Sequence, residues 1–166
     1  MKKISLFGFN FNKKLYSIGY DGPIIDGYLF FGDTQIARAR NDGNGGGMYF
    51  TPFVPRIDLN NYAKKAAKRY RELGVTVVNY DLIYSNTLEM LVEDLIHLEI
   101  ARRHCMKQKK WNNPAVTVYT TPTQHGVFLE TTISDDPIHD ETILKRFLGD
   151  KIKMVGSYTI DRICIE

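Results

Sequence analysis

Residues 41–47 read Asn-Asp-Gly-Asn-Gly-Gly-Gly, with glycine at four of the five positions from 43 to 47. A run so poor in side chains serves a backbone that needs positive φ, or space that a Cβ would fill. One chemical use of such a backbone is an anion nest, in which successive main-chain N–H groups converge on a phosphate or carboxylate. Arg38 and Arg40 stand just before the run. In an extended strand, residues two apart share a face, so both guanidinium groups could grip an anionic oxygen through paired N–H donors. The candidate ligand-binding set is therefore Arg38, Arg40, Asn41, Asp42, Gly43, Asn44, Gly45, Gly46, Gly47 and Tyr49. The competing use is a wide hairpin in which Asn and Asp tolerate left-handed conformations, Gly accepts the rest and Met48–Phe50 resumes the strand. The segment lacks the Gly-Lys-Ser/Thr ending of a Walker loop and does not match the dinucleotide fingerprint. Its composition specifies backbone geometry more closely than it specifies a ligand.

Other reactive side chains carry less. His97, His104, His125 and His139 match no familiar catalytic spacing. Glu93, His97 and His104 fall on one helical stripe, but seven residues of helix separate the two histidines by about 10 Å, too far for one ion without further ligands. His125, in a turn before Gly126, has the chemistry of an acid or base and the setting of an exposed turn residue. Asp135, Asp136, Asp140 and Glu141 surround Pro137, where a hard cation or a loop followed by a helix cap would explain them. Cys105 and Cys164 are far apart with no CxxC spacing, so neither a disulfide framework nor a zinc site is expected. No catalytic residue, metal ligand or cofactor is assigned.

The hairpin running into Asn41, Asp42, Gly43, Gly45 and Gly46, preceded by GDTQIARAR, resembles a family of small phage, plasmid and bacterial proteins marked by an Asn-Asp-Gly-x-Gly-Gly segment. The similarity extends through LVEDLIHLEIARR and LKRFLGDKI, over most of residues 25–155. Family members often carry a basic residue at the variable position, where this chain has Asn44. The resemblance implies a role in host–phage conflict, such as sequestering an immune signal.

Several elements must position the glycine run. Phe7, Phe9 and Phe11 alternate with smaller or polar residues, Tyr28–Phe31 is a short aromatic run, and Gly32-Asp33 makes a turn into a strand over Thr34–Arg40. Alternation there puts Ile36, Arg38 and Arg40 on one face, with Ala37 and Ala39 on the other. After Pro52 and Pro55, Leu59, Tyr62, Ala63, Ala66, Tyr70 and Leu73 form a helical stripe ending at Gly74. Val75–Val78 reads as a strand or a linker. Asn86 with Glu89 has capping-box spacing and opens a longer helix with Leu88, Leu91, Val92, Leu95 and Leu98 on its buried face. Val116–Tyr119 and Val127–Thr132 then form a hairpin. Asp140 caps a short helix ending at Gly149, and Ser157–Ile165 supplies a last strand. The pattern predicts a single α+β domain over residues 1–166: a mainly antiparallel sheet, two principal helices packed on it and a short C-terminal helix.

Composition bounds the function. The chain has 166 residues, 43% of them hydrophobic and 25% charged, which suits an ordinary globular core. No stretch approaches the roughly 18 uncharged apolar residues of a membrane span, and the apolar run near the start covers only Ile4–Phe9, so a cytoplasmic protein without membrane attachment is expected. A net charge of +3 admits an anionic partner without the strong basicity of a dedicated nucleic-acid binder. Lys64, Lys65, Lys68 and Arg71, and the group from Arg102 to Lys110, read as solvated helix faces or as a salt-sensitive surface for DNA or an acidic protein. The favoured expectation is a non-enzymatic binder of a phosphorylated small molecule, a nucleotide or cyclic nucleotide, enclosed with the help of a second copy of the chain. A phosphodiesterase-like hydrolase and a basic interaction module are the alternatives.

Overall fold

The computed structural model describes residues 4–19, 22–77 and 84–166. The fold is α+β and its sheets are mainly antiparallel. Described residues group into two compact units, one of residues 5–68, 84–95 and 165–166, the other of residues 4, 69–77 and 96–164.

The first unit is built on a six-stranded sheet. Its strands are β1 (Ser5–Leu6), β2 (Phe9–Ile18), β3 (Pro23–Phe31), β4 (Thr34–Asn41), β5 (Tyr49–Pro52) and, near the chain end, β9 (Cys164–Ile165), in the order β5-β4-β3-β2-β1-β9. Two-residue loops set the registers. Gly32-Asp33 joins Phe31 to Thr34 with positive φ at the first position only, the pattern of a II′ hairpin. Phe7-Gly8 joins Leu6 to Phe9 with φ of 52° and 81°, so Phe7 lies in a turn rather than on a strand as its alternation with Phe9 and Phe11 suggests. Its N–H donates to Ile165 O at 2.6 Å.

In β4 the pairing with β3 slips: Leu29 faces Ala37, but Phe30 faces Gln35. Ile36 is the extra residue of a bulge, and Ile36, Ala37 and Ala39 are all fully buried. The expected face shared by Ile36 and the two arginines is therefore corrected: Arg38 and Arg40 lie across from the buried set, half-buried and exposed respectively.

Helix α1 (Arg56–Glu72) contributes Leu59, Ala63, Ala66 and Ala67 to this core. Tyr62 stacks on Phe31 at 4.5 Å and meets Phe9 edge-on at 6.4 Å, which fixes the helix against β2 and β3. Helix α2 (Tyr84–Lys107) adds Leu88, Leu91, Val92 and Leu95, as its periodicity predicts.

The second unit carries a three-stranded sheet of β6 (Ala115–Thr123), β7 (Gly126–Ser134) and β8 (Lys153–Thr159), in the order β7-β6-β8. The predicted hairpin is β6–β7. The end of α1 closes as a Schellman motif: Gly74 N–H donates to Arg71 O and Val75 N–H to Tyr70 O, with Tyr70 and Val75 buried. Residues 75–77 form no strand, although Thr76 exchanges hydrogen bonds with Val127, its N–H donating to Val127 O and its Oγ1 accepting from Val127 N–H, each at 2.8 Å; Val78 lies outside the described residues. The expected single last strand is instead β8 and β9, which belong to different sheets.

Helix α3 (Glu141–Leu148) buries Leu144 against Tyr119 and Ile152. Asp140 caps it by accepting from Thr142 N–H at 2.8 Å, as the sequence indicates, and Gly149 closes it. Thr142, through its N–H and then its hydroxyl, holds the Asp140 carboxyl below its ordinary range. Lys145, and next the N–H of Met154, does the same for Glu141. Both groups stabilise the fold when charged, so their contribution is present above the unfolded carboxyl pKa and lost as pH falls through it toward the folded values. Acid titration of stability is expected to show this loss below about pH 4. Asp140→Asn, which keeps a capping oxygen, should flatten the acid dependence, whereas Asp140→Ala should lower stability at neutral pH as well. An acid profile of Asp140→Asn superimposable on the parent's would contradict the assignment.

Candidate functional site

The glycine run is the loop between β4 and β5, so the strands that carry Arg38, Arg40 and Tyr49 also hold its two ends. Three of its amides are already paired. Gly43 N–H donates to Asn41 Oδ1 at 2.8 Å and Asn44 N–H to Asp42 Oδ1 at 3.1 Å, two successive Asx turns. Asn41 Nδ2 donates to Gly46 O at 3.1 Å and braces the far side. Met48 N–H donates to Glu89 Oε1 at 2.7 Å, which ties the loop to α2. The amides of Gly45, Gly46 and Gly47 have no intramolecular acceptor among the described residues, and all three residues are exposed.

Gly43 has a second duty. It is buried with φ of +74°, and a Cβ there would lie 2.9 Å from Gly22 O and 3.0 Å from both Gly19 Cα and Ile24 Cγ1. Glycine at 43 lets the loop lie directly on the backbone at the β2–β3 end, which explains one glycine of the run without any ligand.

The two arginines have different surroundings. Across the sheet, Asp26 of β3, Arg40 of β4 and Tyr49 of β5 are directly opposed, as are Tyr28, Arg38 and Thr51 in the next row. Asp26 nevertheless takes the diagonal neighbour: Arg38 Nε and Nη2 donate to its two carboxylate oxygens at 2.8 and 2.6 Å. That bidentate pair pushes the Arg38 guanidinium pKa further up. Arg38 therefore faces an internal carboxylate. Arg40 forms no ion pair among the described residues, and it stands beside Tyr49, which is 69% exposed. The Tyr49 hydroxyl reaches to 4.0 Å from where a Cβ on Gly46 would sit, so the phenol leans over the loop.

Glu89 was not readable as part of this site. Its spacing from Asn86 suggests a capping box, but α2 already runs from Tyr84 and the carboxylate points to Met48 instead. A hydrogen bond across 41 residues leaves no local signal. One turn further along α2, partial desolvation and then the charge of Glu89 raise the Glu93 carboxyl above its ordinary range.

The remaining candidates are not brought to this loop. His97 and His104 are exposed, and His104 Nε2 lies 3.0 Å from Gln108 Nε2. His125 is exposed beside Gln124. Asp135 accepts from Asn112 N–H, while Asp140 and Glu141 are occupied at α3. Among the described residues no three His, Cys, Asp or Glu side chains are grouped to hold a metal ion. Cys105 is buried with its thiol pKa raised by desolvation, and Cys164 is exposed. Of the two basic helix faces, Lys65 lies over the Phe31 and Tyr62 rings, and Arg102 and Arg103 share Glu99.

Fold and loop together define a mainly antiparallel α+β protein with a hydrogen-bonded, glycine-rich hairpin loop beside a cation and an exposed phenol. Among the described residues no helix is long and apolar enough to cross a membrane. Comparison with protein-family models, with curated proteins and with solved structures found no match.

Proposed function

We propose that this chain binds a phosphorylated small molecule with an aromatic base, a nucleotide or cyclic nucleotide, at the β4–β5 loop. The observation that supports this reading is the set of three consecutive amides, Gly45 to Gly47, without internal acceptors among the described residues, beside Arg40 and Tyr49. The amides and the Arg40 guanidinium are donors suited to phosphate oxygens, and the exposed Tyr49 ring is a surface on which a base can stack. Asn41, Asp42 and Gly43 set the loop's shape, and Arg38 neutralises Asp26 so that Arg40 keeps its charge for a ligand. The resemblance of the loop to the phage and plasmid family extends the proposal to capture of a nucleotide signal in host–phage conflict.

Isothermal calorimetry against linear and cyclic nucleotides tests it. The expected result is saturable binding of at least one of them that competes with inorganic phosphate at higher concentration. Absence of heat across the panel at high protein concentration would refute the reading.

A further inference from the structure

The charges fixed around the β4–β5 loop restrict which phosphate it can hold. Of the two nearby guanidiniums, Arg38 is paired with Asp26, and among the described residues Arg40 is the cation beside the loop that forms no ion pair. Against it stand carboxylates. Asp42 is exposed within the loop, with one oxygen accepting from Asn44 N–H. Glu89 reaches the loop from α2: Oε1 takes the Met48 N–H at 2.7 Å, and its two oxygens lie 3.5 and 3.8 Å from the Cβ position of Gly47. Glu93 follows one turn along the same helix.

A phosphate monoester above its second pKa, about 6, brings nearly two negative charges into these surroundings. A phosphodiester brings one and still presents acceptor oxygens to the amides. Resting on the nucleotide-binding reading, we infer that the loop selects monoanionic phosphodiesters, such as cyclic nucleotides, over dianionic phosphomonoesters, and that Glu89 sets this preference. An amide oxygen at position 89 would still accept from Met48 N–H, without the charge assistance, so replacing the carboxylate by an amide removes the charge and keeps the contact. The raised Glu93 pKa is consistent with a region where negative charge is already costly.

Calorimetry with matched pairs, each 3′,5′-cyclic nucleoside monophosphate against its 5′-monophosphate at slightly alkaline pH, tests the inference. The cyclic diester is expected to bind about tenfold more tightly to the parent protein, since one extra charge near a half-buried carboxylate carries an effect of that order. Glu89→Gln keeps an acceptor for Met48 and should close most of the gap by strengthening monoester binding. Glu93→Gln should shift the gap in the same direction by less, and it serves if Glu89→Gln does not fold. Monoester binding as tight as the diester's in the parent overturns the selectivity while leaving nucleotide binding intact. A gap unchanged by both substitutions overturns the role of Glu89, and binding of neither ligand overturns the underlying reading together with this one.

Discussion

Gly43→Ala is expected to destabilise the unit that contains β1–β5 by about 2–4 kcal/mol and to displace the β4–β5 loop, combining the cost of a left-handed side chain with backbone overlap. The added Cβ would meet Gly22 O at 2.9 Å and Gly19 Cα at 3.0 Å, and main-chain atoms cannot swing aside as a side chain does. Gly32→Ala is the matched control. Gly32 has φ of +58° but nothing within 4 Å of its Cβ position, so only the conformational term, about 1 kcal/mol, should appear. Urea titrations followed residue by residue by NMR would read both effects. Equal losses for the two variants would show that the contact of Gly43 with Gly19 and Gly22 contributes nothing.

The second large effect is on binding. Arg40→Ala should lower nucleotide affinity by about 10- to 100-fold, the range for losing a charge-assisted hydrogen bond to phosphate, with stability unchanged. Arg38→Ala should also weaken binding, for a different reason. It takes the bidentate partner from the Asp26 carboxylate, which lies directly opposite Arg40 in the strand register, so that negative charge bears more strongly on Arg40. The double variant Asp26→Asn with Arg38→Gln removes both charges and is expected to bind nearly as the parent does. Calorimetry on the four proteins decides the matter. Arg40→Ala with parental affinity would remove Arg40 from the site, and a double variant as weak as Arg38→Ala would place Arg38 in direct contact with the ligand.

What the sequence made legible was local. The Gly32-Asp33 turn, the stripe from Leu59 to Tyr70, the buried face from Leu88 to Leu98 and the Asp140 cap each depend on residues within a turn or two of one another, and the structure has each of them. Features that depend on distant partners were not legible. Asn86 and Glu89 fit a capping box by spacing, but the Met48 amide lies 41 residues away and takes the Glu89 carboxylate. The pairing of Arg38 depends on which strand lies beside β4 and in what register, and alternation within β4 contains neither fact. Ile36 left its expected face because a bulge inserts one residue, which inverts the alternation from that point. Composition identified the glycine run as backbone in need of freedom, yet it could not separate Gly43, which needs space against Gly19 and Gly22, from Gly45 to Gly47, whose amides stay exposed.

That division within the run is what the functional account rests on, and amide-resolved NMR titration with a cyclic nucleotide measures it directly. The N–H signals of Gly45, Gly46 and Gly47 should move in a saturable way with one shared dissociation constant, while those of Gly43 and Asn44, held by Asn41 and Asp42, move little. Signals of Gly45 to Gly47 that stay in place at saturating nucleotide, or shifts centred elsewhere on the protein, would contradict the account.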